Sequence, residues 1–275
     1  ELYELFTLGE GNGYTQEDIT ETSRALTGYN TRNNQGPISF NEKWYDSGQK
    51  TIFGRTGNWN YNDVIDILFE EKKELIGIFI CTKLYKYFIN PNVNQDIINQ
   101  LSNYFIENNF SLELLYKKMF KSEHFFDNYN INVLIKSPSD LLCSLFNQLK
   151  FETSDNFNLD NFFIYKSRDM GQEVLNPVDV AGWQGDQYWI STGSLPMRWE
   201  FVDDLLWRFW QKDKIQYQNF LKNIVGNNDT NPTSIVKKVI DFMFCEYDIK
   251  EEDLIDAVEV FKSDLPDIYY EDGTW

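Results

Sequence analysis

A carboxylate, an ammonium and a hydroxyl group lie close together in the sequence, at Asp46, Lys50 and Thr51. A tight turn through Gly48 would bring the acid and the amine within ion-pair distance, because glycine readily adopts positive φ. In one interpretation Asp46 caps this turn and Lys50 pairs with it, which is a purely structural role. In the other, the turn lies over a pocket in which Lys50 binds an anionic group.

A second candidate site is the loop Gly182–Ile190, whose aromatic side chains include Trp183 and Trp189. Together with Tyr188, these tryptophans could form an exposed aromatic platform that stacks against sugar rings, so the loop is a candidate contact for a glycan or a protein partner. The alternative is that both rings pack in the core, since 17% of the residues are aromatic. Arg198 follows the loop and is predicted to bind loop carbonyls or a carboxylate.

Acidic residues are concentrated near the start of the chain, at Glu1, Glu4, Glu17, Asp18 and Glu21. Paired carboxylates can catalyse glycoside hydrolysis or bind Ca²⁺. Glu17 and Asp18 equally fit the first turn of a helix, where the helix dipole stabilises negative charge. Sequence spacing does not show whether two of these acids face each other across a cleft. They therefore support an enzyme hypothesis but do not define a site.

The chain contains one histidine, His124. A catalytic triad with a histidine base and a metal site built from several histidines are therefore excluded for the chain acting alone. We predict no metal site, and the sequence identifies no cofactor. His124 itself is predicted to be a partly buried residue at a helix end beside Phe125.

The charge balance narrows the choice of partners. The chain has 25 basic and 43 acidic residues and a net charge of −18, so phosphate backbones are repelled and nucleic acid is not an expected partner. The longest apolar run, Leu75–Cys81, is far shorter than the roughly 18 residues of a membrane span. The sequence therefore predicts no transmembrane segment. The cysteines at 81, 143 and 245 are predicted to be small core residues.

Apolar side chains recur at helical spacing through most of the chain. Thr15 with Asp18 forms a predicted capping pair, and Pro138 occupies a predicted first helical position. The fold is therefore predicted to be mainly α, a multi-helix orthogonal bundle in a single helical domain over residues 1–275. Helices are predicted at about 60–71, 75–88, 94–107, 112–120, 141–149, 157–168, 196–224 and 233–246.

One segment has the pattern of a β-hairpin. The runs 38–45 and 50–53 contain β-branched and aromatic residues, and they flank the turn residues Asp46–Gln49. We predict that a small hairpin, at about 36–56, is inserted between helices.

The part of the chain from Glu1 to Arg198 contains a series of short sequence blocks. They are the opening run Glu1–Gly9 with Gly13–Ile19 and Ser23–Tyr29, then Tyr45–Gly54, Ser122–Phe126, Ile135–Pro138, Met170–Gln172, Asn176–Pro177, Val180–Trp183, Trp189–Ile190 and Arg198. These blocks resemble, in the same order, those of a bacterial family known as domain of unknown function 1800. Tyr45 stands where histidine is common in that family, so no role of that histidine carries over to this chain.

The resemblance implies an exported protein of the periplasm, cell surface or extracellular space. Members of the family usually carry export signals and are often encoded beside a sulfatase-like secreted protein, which makes such a protein a candidate partner. By the same resemblance, and because the first residue is Glu1, the chain is expected to be a fragment lacking the N-terminal part and the extreme C-terminus.

Three functional hypotheses follow from the sequence. The preferred one is a binding or assembly component of a secreted or cell-surface complex. The second is a hydrolase or transferase that acts on an extracellular polymer through carboxylates, which requires a cleft lined by at least two acids with shifted pKa values. The third is a purely structural subunit of a surface assembly, which requires broad exposed apolar patches.

Overall fold

The computed structural model describes residues 1–29, 38–149, 159–227, 229–244 and 249–263. The chain divides into two compact units, Glu1–Phe125 and Phe126–Trp275. Over these residues the fold is mainly α with one small antiparallel hairpin, as the sequence predicts. A single domain over residues 1–275 stays a prediction.

The first unit opens with a π-helical turn, Leu2–Thr7, and contains the hairpin. Its further elements are α1 Gln16–Ala25, β1 Lys50–Ile52, β2 Arg55–Gly57, α2 Tyr61–Glu71, α3 Lys73–Phe88, α4 Gln95–Glu107 and α5 Leu112–Phe120. The predicted capping pair at the start of α1 is confirmed, because Thr15 and Asp18 form a reciprocal capping box.

Buried side chains of α3, α4 and α5 form the largest core cluster of this unit. A smaller cluster joins Ala25 of α1, Ile52 of β1 and Val64 of α2, so the hairpin is fixed between two helices. Helices α3 and α4 approach closely at Gly77, where an added Cβ would lie 2.4 Å from Ser102 Oγ. This contact requires the absence of a side chain at position 77.

The second unit contains six described α-helices and one cluster of buried apolar side chains. The helices are α6 Pro138–Leu149, α7 Leu159–Asp169, α8 Ser194–Lys212, α9 Lys214–Val225, α10 Pro232–Met243 and α11 Glu251–Lys262. The cluster comprises Leu142, Leu145, Met170, Phe201, Leu205 and Phe209, contributed by α6, α8 and the end of α7. A long connection, 170–193, leads from α7 to α8.

Two sequence predictions on local structure are wrong in detail. Residues 196–224 form two helices rather than one, because Asp213 adopts extended backbone and its carboxylate caps α9 by accepting from the Gln216 N–H at 2.9 Å. Cys143 is exposed rather than buried, while Cys81 is in the core as predicted. Cys245 lies outside the described residues.

The hairpin exists, but its strands and turn are displaced from the predicted ones. Lys50 pairs with Gly57 and Ile52 with Arg55, so the turn is Phe53–Gly54 rather than Asp46–Gln49. Both turn residues have positive φ, +49° and +80°, which matches the twist of a two-residue hairpin. Residues 38–45 form no strand and include a short 3₁₀-helix, Glu42–Trp44, whereas positions 36 and 37 of the predicted insertion lie outside the described residues.

Candidate functional site

Helix α1 directs three charged side chains at the hairpin. Asp18, Glu21 and Arg24 are spaced three residues apart, which places them on one face of the helix. Asp18 Oδ1 accepts a hydrogen bond from the Phe53 N–H of the hairpin turn at 2.7 Å. Burial alone would raise the pKa of Asp18, but hydrogen bonds from Phe53 and Thr15 lower it, so this group is a carboxylate at neutral pH.

Arg24 is the centre of a charge network that the sequence analysis missed. Its Nε donates to Asp46 Oδ2 at 2.8 Å and its Nη2 to Oδ1 at 3.3 Å, a two-point contact, while Nη1 binds Glu21 Oε2 at 2.8 Å. Glu21 Oε2 also accepts from the Thr51 N–H at 3.1 Å. Hydrogen bonds from Arg24 lower the pKa of both Asp46 and Glu21. The sequence signal was available, since Arg24 lies in one of the family-like blocks.

Lys50 is almost completely buried, with 1% of its surface exposed. Its Nζ binds the Asp46 carbonyl, the Gly48 carbonyl at 2.9 Å and Asn58 Oδ1 at 3.3 Å, which matches the three hydrogens of an ammonium group. The Tyr45 ring lies 4.9 Å from the same nitrogen. Burial lowers the pKa of Lys50.

The turn before β1 is capped as one of the two interpretations predicts, because Asp46 Oδ1 accepts from the Gly48 N–H at 2.9 Å. The predicted pairing is wrong, however: Lys50 binds the backbone carbonyl of Asp46, and the carboxylate is held by Arg24. Contact of these residues with a ligand stays a prediction. We call Asp18, Glu21, Arg24, Asp46 and Lys50 the hairpin cluster.

Thr51 and Tyr45 complete the surroundings of the hairpin cluster. The Thr51 and Thr56 hydroxyl groups lie 2.8 Å apart across the two strands. The Tyr45 hydroxyl lies 3.1 Å from Asn58 Oδ1 and 3.0 Å from the Trp59 carbonyl. Tyr45, at the position where the family commonly has histidine, therefore holds the segment after β2, and burial raises the pKa of its hydroxyl.

In the second unit, three side chains from distant parts of the chain bind one backbone segment, 135–139. Arg198 Nη2 donates to the Lys136 carbonyl at 2.8 Å, so its partner is a backbone carbonyl, as predicted, but one that lies outside the 182–190 loop. Asp186 Oδ1 accepts from the Ile135 N–H at 3.3 Å, and Gln172 Oε1 accepts from the Ser139 N–H at 2.8 Å. The 170–193 connection is thus attached to the start of α6 near both of its ends.

The aromatic loop has one buried and two more accessible rings. Trp189 is buried, and its carbonyl accepts from the Ser194 hydroxyl at 2.8 Å in the first turn of α8. Trp183 is half-buried, with its ring centroid 6.5 Å from that of Trp189. Tyr188 is exposed, so the accessible aromatic surface of this loop comes from Trp183 and Tyr188.

Between the two attachment points, every residue of Glu173–Ala181 is exposed. Three of these residues carry large apolar side chains with most of their surface in solvent: Leu175 is 93% exposed, Val178 83% and Val180 75%. We call this segment the 173–181 apolar run. Composition alone did not reveal it, because each residue is also compatible with a core position.

His124 lies at the end of the first unit, half-buried as predicted, with Nε2 2.9 Å from the Tyr85 hydroxyl. In the described ranges, no group of three or more potential metal-ligating side chains is found. Two cavities of about 410 and 560 Å³ adjoin α9 and share Phe220 and Asn223. Neither is lined by a residue of the predicted sites.

The family described as "Protein of unknown function (DUF1800)" has a sequence model that matches residues 1–271. The chain belongs to this family. No match is found among curated proteins or among solved structures. Some of the blocks that resemble the family contact one another within a unit. In the first unit the opening blocks contact Tyr45–Gly54, and in the second Gln172 and Arg198 both bind the segment at the start of α6.

Across the described part of the chain, no helix combines the length and the apolar composition needed to span a bilayer.

Proposed function

We propose that this DUF1800 protein is an exported bacterial binding or assembly component of a secreted or cell-surface complex, and that it binds another polypeptide through the 173–181 apolar run. The single observation that carries the proposal is the exposure of Leu175, Val178 and Val180 in one segment whose flanking residues are hydrogen-bonded to segment 135–139. Neighbouring exposed apolar side chains of this kind are typical of protein interaction sites.

The apolar run is held in place from both sides. Gln172 directly precedes it and binds the Ser139 N–H, while Asp186 follows it and binds the Ile135 N–H. Within the run, the Asp179 carboxylate accepts from the Ala181 N–H at 2.8 Å, which forms a local turn. A partner would therefore meet a partly ordered surface, which lowers the entropic cost of binding.

The charge of this region indicates the chemistry of the partner. Between Arg168 and Arg198 the sequence contains Asp169, Glu173, Asp179 and Asp186 and no lysine or arginine. A basic polypeptide surface with apolar side chains is complementary to such a segment. By family resemblance, the candidate partner is the sulfatase-like secreted protein encoded beside many members. A glycan that stacks on Trp183 and Tyr188 is a second candidate ligand.

We prefer the binding role to the hydrolase or transferase role because of the pKa values of the carboxylates in the hairpin cluster. A general acid needs a raised pKa, whereas the pKa values of Asp18, Glu21 and Asp46 are lowered by their hydrogen bonds. Each of these carboxylates also accepts hydrogen bonds that hold the hairpin. These hydrogen bonds within the protein account for the positions of the three carboxylates without any catalytic role.

The test is co-expression of the chain with the sulfatase-like protein encoded beside it, followed by native mass spectrometry of the purified material. We expect a stoichiometric complex with the unchanged chain and at least roughly tenfold weaker binding for the triple variant Leu175→Ser, Val178→Ser, Val180→Ser. The matched control is Ile215→Ser with Val260→Ser, which removes exposed apolar side chains elsewhere in the same unit.

Three outcomes would contradict the proposal in different ways. Absence of any complex, or equal binding by the triple variant, removes the partner-binding role. Self-association of the chain alone that the triple variant abolishes favours the purely structural subunit. Detection of the full-length protein in the cytoplasmic fraction of its native cells, and in no exported fraction, overturns the export part.

A further inference from the structure

Two neighbouring cavities follow helix α9 in the second unit. Their volumes are about 410 and 560 Å³, within the range of roughly 300–1,000 Å³ that is typical of small-molecule sites. Phe220 and Asn223 line both cavities, and the ends of α6 and α8 and one face of α10 supply the other walls. We call the two cavities together the α9 groove. The groove is open to solvent, because Gln216, Asn219 and Asn223 of its lining are exposed.

Side-chain amides line the α9 groove along its length. Gln216, Asn219 and Asn223 follow one another at intervals of three and four residues, which places them on one face of α9. Gln148 of α6 lines the second cavity. Within the described ranges, the side-chain amides of these four residues have no hydrogen-bond partner in the protein. Each amide can both donate and accept, so the groove offers both kinds of hydrogen bond to one ligand.

Aromatic rings form the apolar part of the same surface. The Phe220 and Phe242 rings both line the second cavity, with 5.8 Å between their centroids, and Phe242 is 38% exposed. Tyr217 lines the first cavity and is half-buried, and burial raises the pKa of its hydroxyl. This hydroxyl has no hydrogen-bond partner among the described residues, whereas polar groups shielded from water are usually paired. A ligand hydroxyl in the first cavity would satisfy it.

The charges around the α9 groove favour an uncharged ligand. Lys238, the one basic side chain among the described lining residues, is already paired with the Asp229 carboxylate. The Asp213 carboxylate accepts from the Gln216 N–H at 2.9 Å, and Asp241 adds a second negative charge. An anionic ligand would therefore meet carboxylates without a cation to bind it. Neutral hydroxyl groups, in contrast, donate to a carboxylate and both donate to and accept from an amide.

We infer that the α9 groove binds a neutral oligosaccharide, with pyranose rings packed against Phe220 and Phe242 and sugar hydroxyl groups bonded to the amides of α9. A pyranose ring has apolar C–H faces and hydroxyl groups around its edge, so a surface that combines aromatic rings with amides suits both parts. The same amides could bind the backbone of a polypeptide, but the two cavities have the volumes of small-molecule sites. The groove shares no lining residue with the 173–181 apolar run, and the inference does not rest on the polypeptide partner proposed for that run.

The test follows the side-chain amide resonances of the ¹⁵N-labelled chain by NMR during titration with cellotriose, mannotriose and chitotriose, which are neutral trisaccharides of different hexoses. The resonances of Asn219 and Asn223 are assigned by their loss in Asn219→Ala and Asn223→Ala. We expect saturable shifts of both with at least one trisaccharide. Sorbitol, an open-chain polyol, and trigalacturonic acid, an acidic trisaccharide, should shift them far less at the same concentration. No saturable shift with any neutral trisaccharide, or an equal shift with sorbitol or with the acidic trisaccharide, would overturn the inference.

Variants decide whether the groove itself is the binding site. Asn223→Ala removes the amide that lines both cavities while alanine favours the helix, so trisaccharide affinity measured by calorimetry should fall roughly tenfold. Gln218→Ala, at an exposed position of α9 outside the lining, is the matched control and should bind as the unchanged chain does. Equal affinity in Asn223→Ala, or a loss of affinity in Trp183→Ala instead, would contradict the inference, the latter by assigning the sugar to the aromatic loop. If Asn223→Ala weakens the complex with the sulfatase-like protein and no trisaccharide binds, the groove is a polypeptide site and the inference is wrong.

Discussion

The guanidinium of Arg24 and the carboxylate of Asp46 meet through two hydrogen bonds, of 2.8 and 3.3 Å, across 22 positions of sequence. The contact joins the end of α1 to the turn that precedes the hairpin. A second connection runs between the same segments, because the Thr27 hydroxyl lies 2.8 Å from the Asp46 N–H and accepts from it. Two of the blocks that resemble the family, Ser23–Tyr29 and Tyr45–Gly54, are therefore parts of one contact.

We expect Asp46→Asn to lower the thermal stability of the protein at neutral pH. The Arg24 contact lowers the pKa of Asp46, so the carboxylate stabilises the fold above its ordinary pKa of about 4, and this contribution is lost as the pH falls through the lowered value. The difference in melting temperature between variant and unchanged protein, followed by circular dichroism, should therefore shrink below pH 4. Glu70→Gln, which removes an exposed partner of Arg55, is the control and should have little effect. A pH-independent difference would contradict this reasoning.

We expect Lys50→Met to destabilise the protein by about 1–3 kcal/mol. Methionine keeps much of the side-chain volume but leaves the Asp46 and Gly48 carbonyls without the donor they have now. The free energy of unfolding is measured by urea denaturation. Lys43→Met, at an exposed position of the preceding segment, should change it by less than about 0.5 kcal/mol. If Lys50→Met leaves the free energy of unfolding unchanged, water has replaced the ammonium group as the donor to these carbonyls.

We expect Gly77→Ala to cost about 1–3 kcal/mol, because the new methyl group would overlap Ser102 Oγ where α3 and α4 pack. In the double variant with Ser102→Gly, the overlap with the hydroxyl is gone. The two changes should therefore be less destabilising together than the sum of their separate effects, which a double-mutant cycle in urea denaturation measures. Strict additivity would place the strain elsewhere, for instance at Ile106, which also lies near the added atom.

We expect the contribution of Asp229 to stability to persist to lower pH than is usual for an aspartate. Hydrogen bonds from Lys238 at 2.5 Å and from Ser234 at 2.6 Å lower the pKa of Asp229 to about 2. The contribution is complete above about pH 4 and is lost between about pH 4 and pH 2. Thermal unfolding of Asp229→Asn should differ from that of the unchanged protein above this range and converge with it near pH 2. Asp241→Asn, at an exposed position of α10, should show no such convergence.

The helices could be predicted from sequence because their apolar faces repeat at the helical period and their ends carry local capping signals. The prediction of α2 at 60–71 and of α4 at 94–107 agrees with Tyr61–Glu71 and Gln95–Glu107. The end of α8 was missed, because the apolar repeat continues across it and a single aspartate, Asp213, caps the next helix.

The hairpin was displaced in the prediction because its real turn uses an unusual residue. Phenylalanine rarely adopts positive φ, so Phe53–Gly54 does not read as a two-residue turn. Tertiary contacts compensate, since Asp18 accepts the Phe53 N–H and the Tyr3 ring lies 5.1 Å from the Phe53 ring. Asp46–Gly48 does form a turn, but no strand precedes it.

The hydrogen-bond partners of the candidate site residues could not be predicted from the sequence. Asp46, Lys50 and Arg198 were identified from residue type, yet their partners are a distant side chain or backbone carbonyls that no spacing rule reveals. The exposure of Leu175 could not be predicted either, because a leucine in a loop can be buried or exposed to solvent. Such features depend on which distant segments meet.

The burial of the Lys50 amine has a practical consequence for following this protein in solution. Amine-reactive acylating reagents require an accessible, deprotonated nitrogen, and the neighbouring carbonyls enclose this one. Lys50 should therefore be modified among the last lysines of the first unit while the hairpin is intact, and at the rate of a free peptide lysine once it opens. Peptide mapping after brief acylation would therefore report how often the hairpin opens, through the extent to which Lys50 is modified.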